Sequence, residues 1–335
     1  MQLVIDSFGS SLAKHSERLV IREKGEVKHE LPFDDVEQIT VGAHGITLSS
    51  DAIQACCERG IQIYFLTYSG QSYAQLSAPN LTGTVVTRRE QILAFRDERG
   101  LTLAKLLVQA KLKNQARLLR YFGKYRKTSD PELFAVLSER SQAIEKLVSA
   151  VLEVGGSCID EARAAILSIE GRAAKDYWAA VERLVAERIP FPGREHRGAT
   201  DPINSALNYG YGILYSQVWG AILLAGLEPF AGFIHVDRPG KPSLVLDLIE
   251  EFRQPVVDRT VLAAIGKGME IAMDGDRLAE PTRKELATRV LERLEETERY
   301  RGRKLRLRSI IQCQARQVAM FLRGEADFQA FVGGW

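Results

Sequence analysis

The sequence predicts an α+β protein in which a small β-rich, sandwich-like domain, residues 1–86, precedes a larger all-α domain, residues 87–335. The length of 335 residues exceeds the roughly 100–200 residues of one ordinary domain. Apolar residues alternate with polar ones in the first part, whereas beyond residue 86 they recur at about every 3.6 residues. "SAPNLTG", residues 77–83, groups proline, asparagine and glycine and is the predicted boundary.

Two strands, a helix and a further strand are predicted in the first domain. "RLVIRE" and "EVKHEL" alternate around Lys24-Gly25, as in a β-hairpin. "LSSDAIQACCERG" predicts a short helix, because Ser49 or Ser50 can cap its start and Gly60 can end it. "IQIYFLT" is a β-branched and aromatic run that predicts a strand.

Long amphipathic helices are predicted in the second domain. "LTLAKLLVQAKLKNQARLLRYFGKY", residues 101–125, has apolar side chains on one helical face and basic ones elsewhere. "IPFPGREHRGATDP", residues 189–202, predicts a long loop that ends at Asp201-Pro202, a cap and first-turn pair for the next helix. The second domain should therefore be mostly helical.

Composition excludes several classes of protein. No run of about 18 apolar residues is present, and the first residues lack the pattern of a signal peptide, so we expect a cytoplasmic protein without a membrane anchor. The four cysteines form neither a CxxC pair nor an even framework, which excludes a zinc knuckle and a disulfide scaffold: Cys56, Cys57, Cys158 and Cys313.

The formal net charge of +2 hides an uneven distribution. Residues 88–127 contain twelve basic and three acidic residues, and "RYRGRKLRLR", residues 299–308, contains no acidic residue. Two basic helical segments of this kind indicate a polyanionic partner, because neutralised phosphates release counterions and dominate nucleic-acid affinity. A solvated helix face is the equally weighted alternative.

One carboxylate falls on a predicted apolar stripe. In "CIDEARAAILSIEGRAAKDYWAAVERLV", residues 158–185, helical spacing places Glu170 in the same arc as Ile166, Ala173 and Tyr177. A buried carboxylate costs several kcal/mol unless it is paired, protonated or bound to a cation. Glu170 is therefore predicted to be either a metal ligand or half of a buried Glu–Arg pair.

A second group of candidate ligands lies in "GFIHVDRPGKPSLVLDLIEEFR", residues 232–253. His235 precedes a turn, and Asp247 and Glu250 are i,i+3 neighbours on the predicted helix that follows. With Glu170 they offer the nitrogen and oxygen donors that Mg²⁺ or Mn²⁺ uses in phosphoryl transfer. The alternative is a hydrogen-bonded loop histidine followed by a solvated helix face.

Several motifs in one chain resemble a known family. They are the stretch from His235 to Glu250, "SIEGRAAKDYW", "DPINSALNYGYGILYSQVWGAILLAGLEP", "VVTRREQ" and "RLRSIIQCQARQVAMFLRGE". Together they resemble the CRISPR-associated integrase, the catalytic subunit of spacer acquisition, over nearly the whole chain. The resemblance implies a β-rich domain that forms a homodimer interface, followed by a helical catalytic domain.

The resemblance also implies roles for individual residues. Glu170, His235 and Glu250 would hold one divalent metal, with Asp247 beside it; Glu250 stands where relatives often have Asp. Tyr215 would lie near the reactive phosphate. DNA phosphates would be contacted by Arg253 and by residues of the basic segments: Arg88, Arg89 and Arg306.

The expected function is a metal-dependent DNA integrase and endonuclease, in which the 3′-hydroxyl of a short DNA fragment attacks a phosphodiester of a CRISPR repeat. Its expected partners are short duplex, repeat and branched DNA, a second copy of the chain, and the small ferredoxin-like companion subunit that the resemblance implies. The alternatives are a structure-specific nuclease acting on branched DNA and a non-catalytic DNA-binding scaffold.

Overall fold

The computed structural model describes residues 2–67, 70, 72–76, 85–124, 126–195 and 198–334. The N-terminal part of this range consists mainly of strands. Its elements are β1 (Gln2–Ile5), β2 (Ser11–His15), β3 (Arg18–Glu23), β4 (Glu26–Pro32), β5 (Gln38–Val41), β6 (Thr47–Leu48), α1 (Ser50–Glu58), β7 (Gln62–Leu66) and β8 (Ser72–Leu76).

These strands form two four-stranded sheets that share one apolar core. The first has the order β1-β5-β7-β8, with three parallel strands and an antiparallel edge, and the second has the order β4-β3-β2-β6. Leu12 and Leu19 from the second sheet pack in the same buried cluster as Ile39 and Ile63 from the first. The predicted β-rich first part is confirmed, while its predicted boundary at 77–83 lies outside the described residues.

The local elements expected in this part are also confirmed. Lys24 and Gly25 form the β3–β4 turn at φ values of 50° and 87°, and Ser49 caps α1 by accepting a hydrogen bond from Ala52 N at 3.2 Å. Gly60, at φ 72°, follows the end of α1. A positive φ favours glycine and cannot continue an α-helix, which explains why α1 ends just before Gly60.

The rest of the described chain is mainly helical, as predicted. Two short β-hairpins interrupt the helices. In chain order the elements are α2 (Val85–Ala94), α3 (Glu98–Gly123), α4 (Arg126–Ser129), α5 (Pro131–Glu153), α6 (Ile159–Val185), α7 (Pro202–Leu224), α8 (Ser243–Leu248), α9 (Arg259–Gly266), β9 (Met273–Asp274), β10 (Arg277–Leu278), α10 (Glu280–Glu295), β11 (Thr297–Tyr300), β12 (Arg303–Arg306) and α11 (Leu307–Leu322).

Helices α3, α5, α6 and α7 contribute to one large apolar core. Asp201 caps α7 by accepting from Asn204 N at 2.9 Å, and Pro202 occupies its first turn, as predicted. Helix α7 also lies against Gly70, because a Cβ atom added to Gly212 would stand 1.4 Å from the carbonyl oxygen of Gly70. In the part of the chain that the structure describes, no helix is long and apolar enough to cross a membrane.

The second basic segment is not the helix that we expected. Residues 299–306 lie in the β11–β12 hairpin, and α11 begins only at Leu307. Arg301 and Gly302 form its two-residue turn with φ values of 47° and 79°. Two successive positive φ values match the right-handed twist of a hairpin and are incompatible with an α-helix.

The helix predicted to carry Asp247 and Glu250 is also irregular. α8 ends at Leu248, and a 3₁₀ turn, Ile249–Glu251, and a π-helical segment, Arg253–Asp258, follow it. Pro255 has no N–H to donate to the carbonyl of Glu251, four residues before it. That carbonyl instead accepts from Asn114 Nδ2 at 2.9 Å, so the break in the helix is satisfied by α3.

Candidate metal centre

Two carboxylates from separate helices meet at one buried ammonium. Lys111 of α3 forms an ion pair with Glu170 of α6, and its Nζ lies 2.7 Å from Oε2 of Glu250, which follows α8. Only 8% of Lys111 and 3% of Glu250 is exposed. The structure therefore brings together Glu170 and Glu250, two of the three predicted metal ligands, around a cation of the chain itself.

The charged forms of Lys111 and Glu250 stabilise each other. Burial alone would raise the pKa of Glu250, but Arg253 and Lys111 outweigh it and hold the pKa of that carboxyl well below its usual range. Burial likewise acts to lower the pKa of Lys111, whereas Glu250 and Glu170 raise it above its ordinary value. Lys111 and Glu250 are therefore both charged at neutral pH.

Hydrogen bonds to Asp247 fix the orientation of the His235 ring. Oδ1 of Asp247 lies 2.7 Å from the Nδ1 atom of His235 and accepts from the backbone N–H of His235 at 3.0 Å. Its Oδ2 accepts from the backbone N–H of Phe233 at 2.6 Å and of Ile234 at 3.0 Å. Because a carboxylate can only accept, Nδ1 carries the proton and the lone pair of Nε2 is left for another partner.

The solvated-face alternative for residues 247–251 is wrong. Asp247 and Glu251 are fully buried, and Glu250 is nearly so. The two carboxylate oxygens of Asp247 accept from four donors. Asp247 therefore orients His235, and neither of its oxygens is free for direct ligation of a metal. A carboxylate behind a ligating histidine is the usual arrangement in metal sites.

Arg253 faces inward rather than toward solvent. Its guanidinium lies 3.4 Å from Oε1 of Glu250 and 4.9 Å from the ring centroid of Tyr211, and 17% of its side chain is exposed. Below it Asp258 accepts hydrogen bonds from Tyr177 at 2.6 Å and from Tyr211. Arg253 balances Glu250 in this structure, and its predicted contact with DNA stays a prediction.

The donor types fit a hard divalent cation, although the side chains are not gathered around one. Among the residues that the structure describes, no three His, Cys, Asp or Glu side chains are arranged as a metal-binding group. The ammonium of Lys111 lies between Glu170 and Glu250, where the two carboxylates stabilise a positive charge. Two carboxylates and an imidazole are suitable ligands for Mg²⁺ or Mn²⁺ once the ammonium moves aside.

Lys111 is the residue of this centre that the sequence analysis missed. The buried Glu–Arg pair considered for Glu170 is a Glu–Lys pair in the structure. The signal was available, because Lys111 lies four residues after Leu107 and seven before Leu118, on the apolar stripe of α3. The criterion that identified Glu170 would have identified Lys111 as well.

Tyr215 lines a cleft of about 510 Å³, whose lining also includes Tyr73, Arg88, Trp219 and Phe230. Burial raises the pKa of Tyr215, so its hydroxyl keeps its proton and can donate.

The predicted DNA-contacting arginines outside the centre lie on the surface. Arg88 is exposed, 4.0 Å from Glu228, and Arg89 is exposed on the same helix. Arg306 is exposed on β12, 3.2 Å from Glu295.

Sequence comparison agrees with the resemblance. The family model for CRISPR associated protein Cas1 matches residues 3–292. The CRISPR-associated endonuclease Cas1 1 of Archaeoglobus fulgidus is 39% identical over 347 aligned positions, which cover 100% of both chains.

Solved structures share the fold. A casposase bound to integration product superposes with a TM-score of 0.82 at 24% identity, covering 98% of this chain and 92% of that one. A chain of a Cas6-RT-Cas1–Cas2 complex superposes with a TM-score of 0.78 at 19% identity, covering 99% of this chain and 36% of that one.

Proposed function

The chain belongs to the Cas1 family of CRISPR-associated proteins, and from this premise we propose that it is a divalent-metal-dependent DNA integrase and endonuclease of spacer acquisition. The observation that supports this most is the convergence of Glu170 and Glu250 at one buried cation position. Asp247 holds the Nδ1 atom of His235, which leaves the Nε2 atom of that ring for another partner. A metal-dependent active site gives a reason for burying two carboxylates, which is costly in itself.

Glu170, Glu250 and Nε2 of His235 would hold Mg²⁺ or Mn²⁺, which when bound supplies Lewis-acid polarisation of a phosphoryl oxygen. Asp247 keeps the imidazole in the tautomer that can ligate, and Arg253 limits the negative charge around Glu250. We propose that the hydroxyl of Tyr215 donates a hydrogen bond to the phosphate.

The proposed reaction is a phosphodiester exchange. The 3′-hydroxyl of a short DNA fragment forms a new P–O bond at the repeat boundary, the original P–O bond breaks, and the displaced strand leaves with its own 3′-hydroxyl. The number of phosphodiester bonds is unchanged, so neither an external energy source nor a covalent enzyme intermediate is required. With water as the nucleophile, the same centre would act as an endonuclease.

The proposed assembly contains at least two copies of the chain, because insertion of a fragment joins both of its ends. Residues 1–86 would form the interface between the copies. A structural relative is part of a complex that also contains Cas2, and we propose a small ferredoxin-like companion subunit for this chain too.

A strand-joining assay tests this function. Purified protein is incubated with labelled branched DNA, and separately with supercoiled plasmid and short duplexes, in Mg²⁺, Mn²⁺ or EDTA. We expect joined strands only with metal, and no joining by Glu170→Gln or His235→Ala although both still bind DNA. Glu182→Gln is the matched control, because Glu182 is an exposed residue of the same helix.

The assay also separates the alternatives. Metal-dependent cutting without joined products, even with the companion subunit added, would favour a structure-specific nuclease. Unchanged joining by Glu170→Gln would contradict the proposed metal centre.

A further inference from the structure

The β11–β12 hairpin presents one strongly basic face. Cross-strand partners project on the same side of a two-stranded ribbon, and the side alternates from pair to pair. The pairs Thr297–Arg306 and Arg299–Lys304 therefore share one face, and all four of these residues are exposed. We call this side the outer face. Arg301 and Arg303 are exposed at the tip and add further positive charge there, although the pairing of Arg303 with Tyr300 places it on the opposite side.

This arrangement costs the folded chain free energy. Arg299 and Lys304 are directly opposite each other, and like charges in that position destabilise a β-ribbon. The outer face carries no acidic residue, and the nearest acidic partner seen for any of its cations is Glu295, 3.2 Å from Arg306 at the base of the hairpin. The chain itself therefore supplies little compensation for the charge at the tip.

The opposite, inner face anchors the hairpin to the segment that follows the metal centre. Glu298 lies 2.6 Å from Arg293 and 3.3 Å from Arg259, and Nε of Arg293 donates to the carbonyl of Pro255 at 2.9 Å. Pro255 lies five residues after Glu250. The hairpin is thus held in a fixed position relative to the centre.

Aromatic packing adds a second anchor. The ring of Tyr300 lies 6.5 Å from that of Phe331, which stacks on Phe252 at 5.5 Å with an interplanar angle of 15°. Phe252 is two residues beyond Glu250. The hairpin is therefore also anchored to the segment that carries Glu250.

The other basic segment differs in its charge balance. In residues 88–127 several cations already have carboxylate partners within the chain: Arg99 with Asp97 and Glu90, Arg120 with Glu145, and Lys111 with Glu170 and Glu250. The basic charge of the hairpin tip faces solvent instead.

Building on the integrase function proposed above, we propose that the β11–β12 hairpin is a docking ribbon for the duplex that receives the insertion. A two-stranded ribbon fits the major groove of B-DNA, which is about 12 Å wide, and the basic outer face would contact the phosphates along it. Because phosphate contacts carry no sequence information, this docking is independent of sequence. It fixes the duplex while the metal centre acts on one of its strands.

Charge removal on the outer face and at the tip of the hairpin tests the proposal. The variant Arg299→Gln/Arg303→Gln/Lys304→Gln keeps the turn residue Arg301 and the paired Arg306. Its control removes the same charge from exposed sites on other surfaces, as Lys146→Gln/Arg188→Gln/Lys267→Gln. The affinity of each protein for a labelled duplex several helical turns long is measured in EDTA by fluorescence anisotropy over a range of KCl concentrations.

We expect the hairpin variant to lose affinity and its log–log salt slope to become shallower by about 3, because each lost phosphate contact removes about 0.9. The control should keep the wild-type slope. In addition, a photoreactive amino acid at position 304 should crosslink to the duplex, whereas one at position 146 should not.

An unchanged slope and affinity in the hairpin variant, at wild-type thermal stability, would overturn the proposal and indicate an acidic protein surface as the occupant. Binding in EDTA does not depend on catalysis, so this result would leave the integrase function standing. Absence of metal-dependent joining by the wild type would instead count against the proposed integrase function and not against duplex binding by the hairpin.

Discussion

The Nζ atom of Lys111 lies 2.7 Å from Oε2 of Glu250 and also pairs with Glu170, so one buried ammonium compensates two carboxylates. Desolvation of three charges is expensive, and the loss of one partner leaves an uncompensated charge in the interior. A cation at this point is therefore a requirement of the fold as well as of the proposed chemistry.

Replacing Lys111 by methionine should make folding depend on metal. We expect Lys111→Met to lower the free energy of unfolding in EDTA by about 3–5 kcal/mol, because Glu170 and Glu250 lose their counter-ion. Mn²⁺ or Mg²⁺ should restore much of this loss, since an ion that binds only the folded state stabilises it. Urea unfolding with and without metal measures both effects.

Lys146→Met, on an exposed site of α5, is the matched control and should respond to metal as the wild type does. If metal stabilised Lys111→Met no more than the wild type, the two glutamates could not be holding the ion.

Replacing Asp247 by asparagine should weaken metal binding, although Asp247 acts through His235 and is not itself a proposed ligand. One carboxylate oxygen of Asp247 accepts from two backbone N–H groups, and the other accepts from a backbone N–H group and the His235 ring. The NH₂ group of an asparagine would face hydrogen-bond donors in either orientation and could not accept from them. We expect about 10–100-fold weaker binding of Mn²⁺, measured by electron paramagnetic resonance. Asp237→Asn, in the same loop but exposed, should keep wild-type affinity.

A pH effect is expected from Asp258. Burial raises its pKa above 3.8, although hydrogen bonds from Tyr177 and Tyr211 and the charges of Arg194 and Arg253 act in the opposite direction. The folded state then binds this proton more tightly than the unfolded chain, so the free energy of unfolding falls as the pH rises from 3.8 through the higher folded-state pKa.

Asp258→Asn removes this ionisation and retains groups that can bond both tyrosines. Its free energy of unfolding should therefore fall less than that of the wild type over the same interval, as followed by urea unfolding at a series of pH values. If the free energies of unfolding of the two proteins fell equally with pH, the pH effect would not come from Asp258.

Much of the fold could be predicted because local signals determine it. Lys24-Gly25, Ser49 and Asp201-Pro202 each act on the few residues beside them, and the structure uses all three as expected. Residues 299–306 were wrongly predicted to be helical because a high density of basic residues says nothing about backbone conformation, whereas Gly302 is the local signal of the turn.

The centre itself could be predicted only in part. Glu170 was identified because a charge on an apolar stripe demands a partner, but the identity of that partner depends on which helix packs opposite. A solvated face was the alternative for Asp247 and Glu250, because the pattern of one helix cannot show the segments that cover it. The loop of residues 233–235 and the C-terminal segment provide that cover.

The C-terminal segment should stabilise the turn that carries Glu250. The backbone N–H of Phe331 donates to Oε2 of Glu251 at 2.7 Å, and Asn114 donates to the carbonyls of both Glu251 and Phe331 at 2.9 and 3.1 Å. Gly333 closes the network by donating to Oδ1 of Asn114 at 2.9 Å. A segment distant in sequence thus completes the hydrogen bonding of residues adjacent to the candidate ligand.

Phe331→Ala removes the ring that stacks on Phe252 and leaves a cavity under this turn. We expect it to lower the free energy of unfolding by about 3–5 kcal/mol, as is usual for a buried phenylalanine. Because Glu250 lies in the same turn, the affinity for Mn²⁺ should fall as well. Phe230→Ala, at a ring that is 44% exposed, is the control and should cost less stability. Lower stability with unchanged Mn²⁺ affinity would mean that the segment supports the core but does not position Glu250.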